Sequence, residues 1–520
     1  MIDVVRMGVP RGHKDVPTLL DWLSHLESLH PKTIALGLDR VAQVRQRLDL
    51  PIDFPIITVG GTNGKGSVCA MLESILHAAG YRVGCYTSPH LLDYNERVRI
   101  AKQQASDVAL CAAFEKIEQA RVGRVSTRQN NVGLKPDLQI PLTYFEFGTL
   151  AAMQCFVEHK VEVAILEVGL GGRLDAVNVY DSDCAVLTSV DMDHMDYLGD
   201  TREQIAFEKA GIFRAGRVAV FGDRDMPQAV ASEARRIGAE LWQLGREFGF
   251  EEPSLSRPSG HPLPLAGEGM GRGQWNYRSP VSERNALPYP ALRGAYQLNN
   301  ASAALAALDA LKDKLPVSME AVRRGLIEVV LPGRFQVLPG RPQIILDVAH
   351  NPHAARSLAQ NLAALPLART YAVFAMLGDK DMAGVVRALK DSVDVWLVAG
   401  IAAPRGASAA ELAAVLAGEG ISGAVQAFPT IENAMRHACN VAAENSGCDS
   451  ANGSPQSGGE PVGLPLAGAL LRSSSLREQP PDTLSRTRRL RAPCQECRIA
   501  AFGSFYTVAE VMRVRGLRYA

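Results

Sequence analysis

The chain has 520 residues, of which 47% are hydrophobic and 21% are charged, as is typical of a globular protein. This length exceeds what one hydrophobic core supports, so we expect two domains. Lysine and arginine total 55 residues and aspartate and glutamate total 55, which makes the net charge zero. A balanced charge provides no general attraction to nucleic acid or to an anionic membrane, and we expect neither as a partner.

Cysteine usage and hydropathy bear on the compartment. Nine cysteines are scattered without the spacing of a disulfide framework, which indicates reduced thiols. The first twelve residues contain no apolar core of a signal peptide, and no apolar run reaches the ~18 residues of a membrane-spanning helix. We therefore expect a cytoplasmic protein.

The first part of the chain alternates strand-like and helix-like patterns. Short apolar runs at 54–59, 83–86, 161–168 and 184–189 predict strands, and 65–79 has helical spacing. Such alternation predicts a mainly parallel, doubly wound α/β sheet. Ligands of these sheets bind beyond the carboxyl ends of the strands, where most polar motifs of this chain lie.

A second set of predicted elements follows residue 333. Its strands are expected at 343–347, 371–374, 395–399 and 499–502, with helices at 382–389 and 408–416 between them. Ser408 suits the N-cap of the latter helix, with Glu411 as its capping-box partner. We expect a first domain over 1–333 and a smaller α/β domain over 334–520.

Two stretches interrupt these patterns, at 253–279 and 446–493. Both are rich in glycine, proline, serine and arginine. This composition cannot bury enough apolar surface to form a core of its own. We expect two inserted, largely disordered surface loops without a catalytic role.

The most informative motif is the glycine-rich turn at 60–67, between a predicted strand and a predicted helix. Its backbone N–H groups, the start of the helix and the Lys65 ammonium together suit phosphate binding. The motif departs from the common P-loop because Val59 replaces the first glycine and Gly66 precedes the hydroxyl of Ser67. A turn without a ligand is the alternative. The residues expected to bind nucleotide here are Gly61, Thr62, Asn63, Gly64, Lys65, Gly66 and Ser67.

The string 61–65 resembles the phosphate loop of the Mur ligase superfamily, and the following Gly66-Ser67 resembles its folylpolyglutamate synthase branch. Further segments in the same order resemble the bifunctional dihydrofolate synthase/folylpolyglutamate synthase family, at 86–91, 166–175, 193–199, 297–302, 331–335 and 346–353. The resemblance implies a two-domain Mur-ligase-like fold, with a P-loop ATPase domain on a mainly parallel sheet and a smaller Rossmann-like C-terminal domain.

The resemblance also implies a metal site. It assigns Mg²⁺ contacts to Ser88, Glu167 and His194. It also implies that Lys209 is a carbamylated lysine that holds a second Mg²⁺. Mg²⁺ takes few protein ligands together with water and phosphate oxygens, so a strand-end carboxylate and a loop hydroxyl are suitable. Histidine is a less usual Mg²⁺ ligand, and a hydrogen-bonding loop residue is the alternative at His194. At Lys209 the alternative is a helix-surface lysine beside Glu208.

The remaining family segments imply nucleotide and substrate contacts. Nucleotide contacts fall on Asn300, Arg334 and Asp347. Substrate contacts fall on Thr143, Tyr144, Phe145, Glu146, Gly172, Arg173, Leu174 and Asp175. The two aromatic rings suit stacking on a pterin and the Glu146 carboxylate suits its N–H groups, although core packing would also explain the rings.

The resemblance implies an ATP-dependent acid–amino-acid ligase. The expected reaction joins L-glutamate to dihydropteroate and to glutamylated tetrahydrofolate through an acyl phosphate, with Lys65, Lys209 and His194 in catalytic roles. The expected cofactors are ATP and Mg²⁺, the partners are small molecules, and the enzyme is expected to be a monomer. Another Mur-type ligase and a P-loop ATPase uncoupled from ligation are the alternatives.

Overall fold

The computed structural model describes residues 17–30, 34–123, 139–252, 273–294, 296–445 and 496–517. We call the part up to residue 333 the N-terminal lobe and the part from residue 334 onward the C-terminal lobe. Within the described ranges, no helix combines the length and apolar character needed to cross a bilayer. The predicted loop at 446–493 lies outside these ranges.

The N-terminal lobe is built on an eight-stranded sheet in the order β4-β3-β2-β5-β1-β6-β7-β8. All pairs from β2 to β8 are parallel, and β3 and β4 are antiparallel additions at one edge. Its strands are β1 Ile56–Gly60, β2 Val83–Tyr86, β3 Val98–Ile100, β4 Gln103–Gln104, β5 Val163–Glu167, β6 Cys184–Leu187, β7 Val218–Phe221 and β8 Glu240–Gln243. Its helices are α1 Leu19–Ser28, α2 Asp39–Leu48, α3 Lys65–Ala78, α4 Asp107–Val122, α5 Tyr144–Glu158, α6 Met195–Leu198, α7 Arg202–Ala210, α8 Gln228–Ile237, α9 Gln297–Ala310 and α10 Met319–Glu328.

Both faces of this sheet are covered. On β1, Ile56 belongs to one buried apolar cluster, and its neighbour Ile57 belongs to a second cluster on the opposite face. Because alternate side chains of a strand point to opposite faces, the nearly continuous apolar run of β1 requires helices on both sides. The predicted doubly wound sheet is confirmed.

The C-terminal lobe carries a six-stranded sheet in the order β12-β13-β17-β14-β15-β16, in which only the β12–β13 pair is antiparallel. The N-cap predicted at Ser408 is confirmed, with both capping-box hydrogen bonds to Glu411 present. The strands are β12 Gln336–Leu338, β13 Gln343–Leu346, β14 Arg369–Phe374, β15 Val395–Ala399, β16 Val425–Phe428 and β17 Cys497–Phe502. The helices are α11 Pro352–Ala363, α12 Met382–Leu389, α13 Ala409–Gly418, α14 Ile431–Asn445 and α15 Phe505–Val514.

A small antiparallel sheet corrects one prediction. It consists of β9 Gly249–Glu251, β10 Gln274–Arg278 and β11 Glu283–Pro288. The loop expected over 253–279 is therefore wrong at its C-terminal end, while 253–272 lie outside the described residues. Trp275 and Tyr277 alternate with polar neighbours and are buried, which is the period-two pattern of a half-buried strand.

Sheet register brings the functional motifs to one edge. Val59, at the end of β1, pairs with Glu167 on β5, and Gly60 pairs with Leu187 on β6. The turn after β1, the carboxylate at the end of β5 and the loop after β6 therefore meet at the carboxyl ends of the strands. The C-terminal lobe faces the same edge.

Candidate nucleotide and metal site

A cavity of about 600 Å³ lies between the two lobes, at the carboxyl edge of the large sheet. Both lobes contribute polar and charged side chains to its walls. The N-terminal lobe supplies residues 61–67, Ser88, Glu167, Asp193, His194, Lys209 and Asn300, and the C-terminal lobe supplies Arg334, Asp347, His350 and Lys380. The predicted nucleotide and metal residues are thus gathered in one place.

The phosphate loop depends on glycine at two positions. Gly61 and Gly64 have φ values of 140° and 89°, which L-residues with a side chain rarely adopt. A Cβ at Gly61 would lie 1.9 Å from Thr188 Oγ1. Gly64 is also the N-cap of α3, so it offers no side chain to the first-turn N–H groups, which are the groups that bind anions at helix starts.

Lys65 curls back over this loop. Its Nζ donates to the carbonyl oxygens of Gly61 at 3.0 Å and Thr62 at 3.3 Å. The loop itself is tied to the segment after β6, because Thr62 N–H donates to Ser189 O at 2.8 Å. A cationic side chain thus lies beside backbone N–H donors, as phosphate oxygens require.

Glu167 provides a buried carboxylate next to the loop. Only 5% of the residue is exposed, and Oε2 accepts the backbone N–H of Ser88 at 3.0 Å. Burial raises the pKa of Glu167, against the opposing effect of the Lys65 and Arg334 charges. A Cβ placed on Gly66 would lie 3.9 Å from Glu167 Oε1, so this oxygen faces the first turn of α3. A desolvated carboxylate beside a phosphate site fits a divalent cation.

His194 lies at the N-cap of α6 in the left-handed region, with φ 53°. Its Nε2 is 3.4 Å from Lys380 Nζ and 3.8 Å from Asp193 Oδ2. Burial, assisted by the Lys380 charge, lowers the pKa of His194 to about 4, so the imidazole is neutral and keeps a lone pair for a metal. Among the described residues, no group of three His, Cys, Asp or Glu side chains is arranged to hold a metal. Mg²⁺ commonly completes its coordination with phosphate oxygens and water, which suits a site with few such side chains.

Lys209, in the last turn of α7, is buried and reaches the phosphate loop. Its Nζ donates to Gly61 O at 3.1 Å, and only 4% of the residue is exposed. Burial, and then the neighbouring Lys65 charge, lowers the pKa of Lys209 to about 7. This position excludes the alternative of an ordinary helix-surface lysine.

Three further predicted residues border the same space. Arg334 stacks on the Phe505 ring at 5.1 Å, and a Cβ on Gly66 would lie 3.7 Å from its Nη2. Asn300 on α9 packs against the loop, since a Cβ on Gly64 would lie 2.6 Å from Asn300 Oδ1. Asp347 follows β13 and accepts the N–H groups of Phe335 and Ala349, both at 2.8 Å. Asp347 also lines the cavity.

The four residues predicted to contact a pterin do not line this cavity. Thr143 is the N-cap of α5, and Glu146 completes its capping box while pairing with Arg40 at 2.8 Å. The Phe145 ring lies against the backbone of Gly169, where a Cβ would meet its Cζ at 2.6 Å. Tyr144 packs edge-on against Tyr94, with ring centroids 5.9 Å apart. The segment thus borders the cavity through Gly169, which lies beside Phe145, and through Arg97, whose guanidinium lies 5.5 Å from the centroid of the Tyr144 ring.

Residues 172–175 form the support of α7. A Cβ on Gly172 would lie 2.7 Å from Lys209 O, and Arg173 pairs with Glu233 on α8 at 2.5 Å. Asp175 caps a short 3-10 turn, and burial raises its pKa to about 6. Leu174 is 40% exposed. This segment therefore holds the helix that carries Lys209.

Lys380 and Asp193 were missed as site residues. Lys380 Nζ lies 2.8 Å from Asp193 Oδ1, with 10% and 8% of the two side chains exposed. Asp193 lies in the segment 193–199 that resembles the family, and this segment was the available signal. Their pairing joins residues 187 positions apart, which no local pattern reveals.

The comparisons with known proteins agree with this geometry. The Mur ligase middle domain matches residues 109–255, and the glutamate ligase domain of Mur ligases matches residues 333–448. The dihydrofolate synthase/folylpolyglutamate synthase of Escherichia coli K12 is 44% identical over 408 residues, covering 78% of this chain and 87% of that protein.

Two solved structures extend the likeness to the fold. The E. coli FolC structure in complex with DHPP and ADP superposes with a TM-score of 0.75 at 38% identity, covering 96% of this chain and 98% of that one. A bifunctional folylpolyglutamate synthase/dihydrofolate synthase with Mn, AMPPNP and L-glutamate bound superposes with a TM-score of 0.74 at 39% identity, with the same coverage. The two-lobed Mur-ligase fold predicted from the sequence is confirmed, and the chain belongs to the dihydrofolate synthase/folylpolyglutamate synthase family.

Proposed function

We propose that the chain is an ATP-dependent ligase that joins L-glutamate to dihydropteroate and to glutamylated tetrahydrofolate through an acyl phosphate. The observation that carries this proposal is the convergence of Lys65, Glu167, Lys209 and Arg334 on one glycine-rich loop between the lobes. The relatives crystallised with ADP, with AMPPNP and with L-glutamate support the same reaction.

The reaction has two displacement steps. A carboxylate oxygen of the folate substrate attacks the γ-phosphorus of ATP, the bond to the β-phosphate oxygen breaks, and ADP leaves. The amine of L-glutamate then attacks the acyl carbon, loses a proton and displaces inorganic phosphate. The protein contributes mainly positioning and charge compensation.

Each part of the cavity has a proposed role in these steps. The loop N–H groups and Lys65 hold the β- and γ-phosphates, and Arg334 lies where charge develops on the transferred phosphoryl group. Asn300 and Asp347 position the nucleotide. Contact between the lobes excludes water, which protects the acyl phosphate from hydrolysis.

The residues around Glu167 suit a divalent cation. Ser88, Glu167 and His194 would hold Mg²⁺, which when bound neutralises charge on the β- and γ-phosphate oxygens. We also propose that Lys209 is carbamylated by CO₂, because a lysine with a pKa of about 7 is largely neutral and nucleophilic at physiological pH. A carbamate would replace the buried amine by an anion suited to a second Mg²⁺.

The substrate side is proposed to lie beyond Gly169. The segments 143–146 and 172–175 would border the pterin through the half-buried Tyr144 and Phe145 rings and the exposed Leu174. The buried pairs of Glu146 and Arg173 support these segments from behind.

Three coarser features complete the proposal. We propose a division into domains at 333/334, where the match to the glutamate ligase domain begins. One chain supplies both walls of the cavity, which supports a monomer. Six of the described cysteines are free thiols, which supports a cytoplasmic protein; they are Cys69, Cys85, Cys111, Cys155, Cys184 and Cys439.

The test is a reaction of the purified chain with ATP, Mg²⁺, L-glutamate and either dihydropteroate or tetrahydrofolate, with products separated by mass. We expect a product heavier by one glutamate residue for each acceptor, and one ADP released per bond formed. ADP release that does not depend on the acceptor would contradict the proposal and indicate an uncoupled ATPase.

A further inference from the structure

Arg99, on β3, makes a fully saturated set of hydrogen bonds behind the cavity. Its Nε donates to both carboxylate oxygens of Glu73, at 3.1 and 3.0 Å, and Nη2 donates to Glu73 Oε2 at 2.9 Å. Nη2 also donates to Cys85 Sγ at 3.2 Å. Nη1 donates to Thr87 Oγ1 at 3.0 Å and to Glu96 O at 2.9 Å. All five N–H groups of the guanidinium are thus used.

The partners of Arg99 belong to elements that meet near Ser88 and Glu167, two of the residues proposed to hold Mg²⁺. We call this part of the cavity the metal corner. Glu73 lies on α3, about two turns or ~12 Å beyond Lys65, and it is 5% exposed. Thr87 directly precedes Ser88, whose backbone N–H donates to Glu167 Oε2 at 3.0 Å. One guanidinium therefore ties the helix of the phosphate loop to the segment that presents Ser88.

This arrangement links two parts of the site by a second path, in addition to the sheet, where Ser88 bonds Glu167 on β5 and Glu167 pairs with Val59 on β1. Ser88 follows the end of β2, and Lys65 lies beyond the end of β1. In the sheet, β5 lies between these two strands. The Arg99–Glu73 pair spans this gap from α3 to the 87–96 segment. Because the guanidinium is planar and bidentate, it fixes direction as well as distance.

We propose that Arg99, held by Glu73, is a positioning residue that sets Ser88 and the Glu167 carboxylate at the distance from the phosphate loop that a nucleotide-bound divalent cation requires. This inference rests on the proposed function only for the presence of that cation. Arg99 touches neither the nucleotide nor the substrate in this role. Removal of a residue that orients metal ligands commonly weakens metal affinity by roughly 10–100-fold.

A second buried pair provides a matched control. Arg284 on β11 pairs with Asp309 on α9 at 2.5 Å, with 12% and 2% of the side chains exposed, against 18% and 7% for Arg99 and Glu73. The other partners of Asp309 are Tyr277, Ser279 and Ser282, none of which lines the cavity. Damage to this pair reports stability without reaching the metal corner.

The experiment measures the Kd of Mn²⁺ for the full chain in the presence of AMPPNP, by electron paramagnetic resonance of free Mn²⁺, together with thermal unfolding. The variants are Arg99→Lys, which keeps the charge but loses the planar fork, and Arg284→Lys. We expect the Kd to rise about tenfold or more for Arg99→Lys and to change less than about twofold for Arg284→Lys. The Mg²⁺ concentration that gives half-maximal turnover should shift in parallel, while the KM for L-glutamate should not.

A double variant, Arg99→Met with Glu73→Met, replaces the buried pair by apolar side chains and carries the test if Arg99→Lys does not fold. Normal Mn²⁺ affinity in a folded Arg99 variant would overturn the inference and leave only a structural pair. Failure of the proposed function is distinct, because it would show as wild-type chain that binds Mn²⁺ and AMPPNP but forms no glutamate conjugate.

Discussion

The Lys380 ammonium of the C-terminal lobe lies 2.8 Å from the Asp193 carboxylate of the N-terminal lobe, in a pair that is largely buried. Neighbouring contacts follow the same path across the cavity. The Asn351 side chain bonds Asn63 of the phosphate loop at 3.2 Å and Asp193 at 3.4 Å. The lobes are thus joined directly at the loop that we propose holds the γ-phosphate.

Lys380→Met is expected to favour separation of the lobes. Removing one partner of a buried pair leaves an unpaired charge, which costs about 3–5 kcal/mol, and opening the cavity hydrates Asp193 instead. We expect a larger radius of gyration by small-angle X-ray scattering and a higher KM for ATP. Adding Asp193→Asn should recover part of the compaction.

The control for this prediction is a second ion pair between the lobes. Arg356 lies 3.2 Å from Asp191, but 56% of its side chain is exposed. Exposed pairs contribute only about 0.2–1 kcal/mol, so Arg356→Met should leave the scattering profile close to that of the wild type. Equal effects of the two variants would rule out a special role for the buried pair.

Lys65→Ala is expected to abolish ligation while preserving the fold. Lys65 bonds only loop carbonyls in this structure, whereas in the reaction it would face phosphate oxygens. Removing one preorganised donor at a site of developing charge costs about 10²–10³ in kcat, and loss of a full cation should cost at least as much. Circular dichroism and turnover of a folded variant check this, and a folded variant with full activity would count against the mechanism.

Glu146→Ala is expected to affect stability more than substrate affinity. The carboxylate is buried, completes a capping box and pairs with Arg40. Loss of a largely buried partner should lower the free energy of unfolding by about 3 kcal/mol, whereas Thr143→Ala, which removes only the cap, should cost about 1 kcal/mol. Urea unfolding measures both. A change confined to the KM for dihydropteroate would instead assign Glu146 directly to the pterin.

Local patterns predicted the framework well for physical reasons. Strands 83–86 and 395–399 were placed residue for residue, because buried parallel strands are short, continuous apolar runs between turn signals. β10 was not predicted because its alternating residues directly follow a stretch rich in glycine and proline. The phosphate loop could be predicted because its tight turn needs backbone conformations that glycine adopts readily, and the glycines are visible in the sequence.

Long-range pairing could not be predicted in the same way. Glu146 and Arg40 are 106 positions apart, and Arg173 and Glu233 are 60 apart. A local pattern shows that a charged residue is present, but it does not show which distant residue pairs with it in the folded chain. Family resemblance placed Glu146 and Arg173 on the substrate side, whereas the structure pairs their charged groups behind it.

Lys209 makes the stability of the chain depend on pH with a defined sign. Its pKa is lowered from 10.5 to about 7 in the folded state, because the ammonium is buried beside Lys65. Between pH 7 and 10.5 the unfolded chain therefore binds a proton that the folded chain does not. The free energy of unfolding should rise with pH across this window, by up to about 1.4 kcal/mol per pH unit.

Lys209→Met isolates this contribution, since all other titrating groups are shared with the wild type. Urea unfolding at pH 7, 8 and 9 should show a shallower rise with pH in the variant, and parallel curves would refute the lowered pKa. The same neutral amine should react with CO₂, so ¹³C-bicarbonate should give a carbamate signal in the wild type that Lys209→Met lacks. Because only the unprotonated amine reacts, that signal should strengthen as the pH rises through about 7 and should weaken below it.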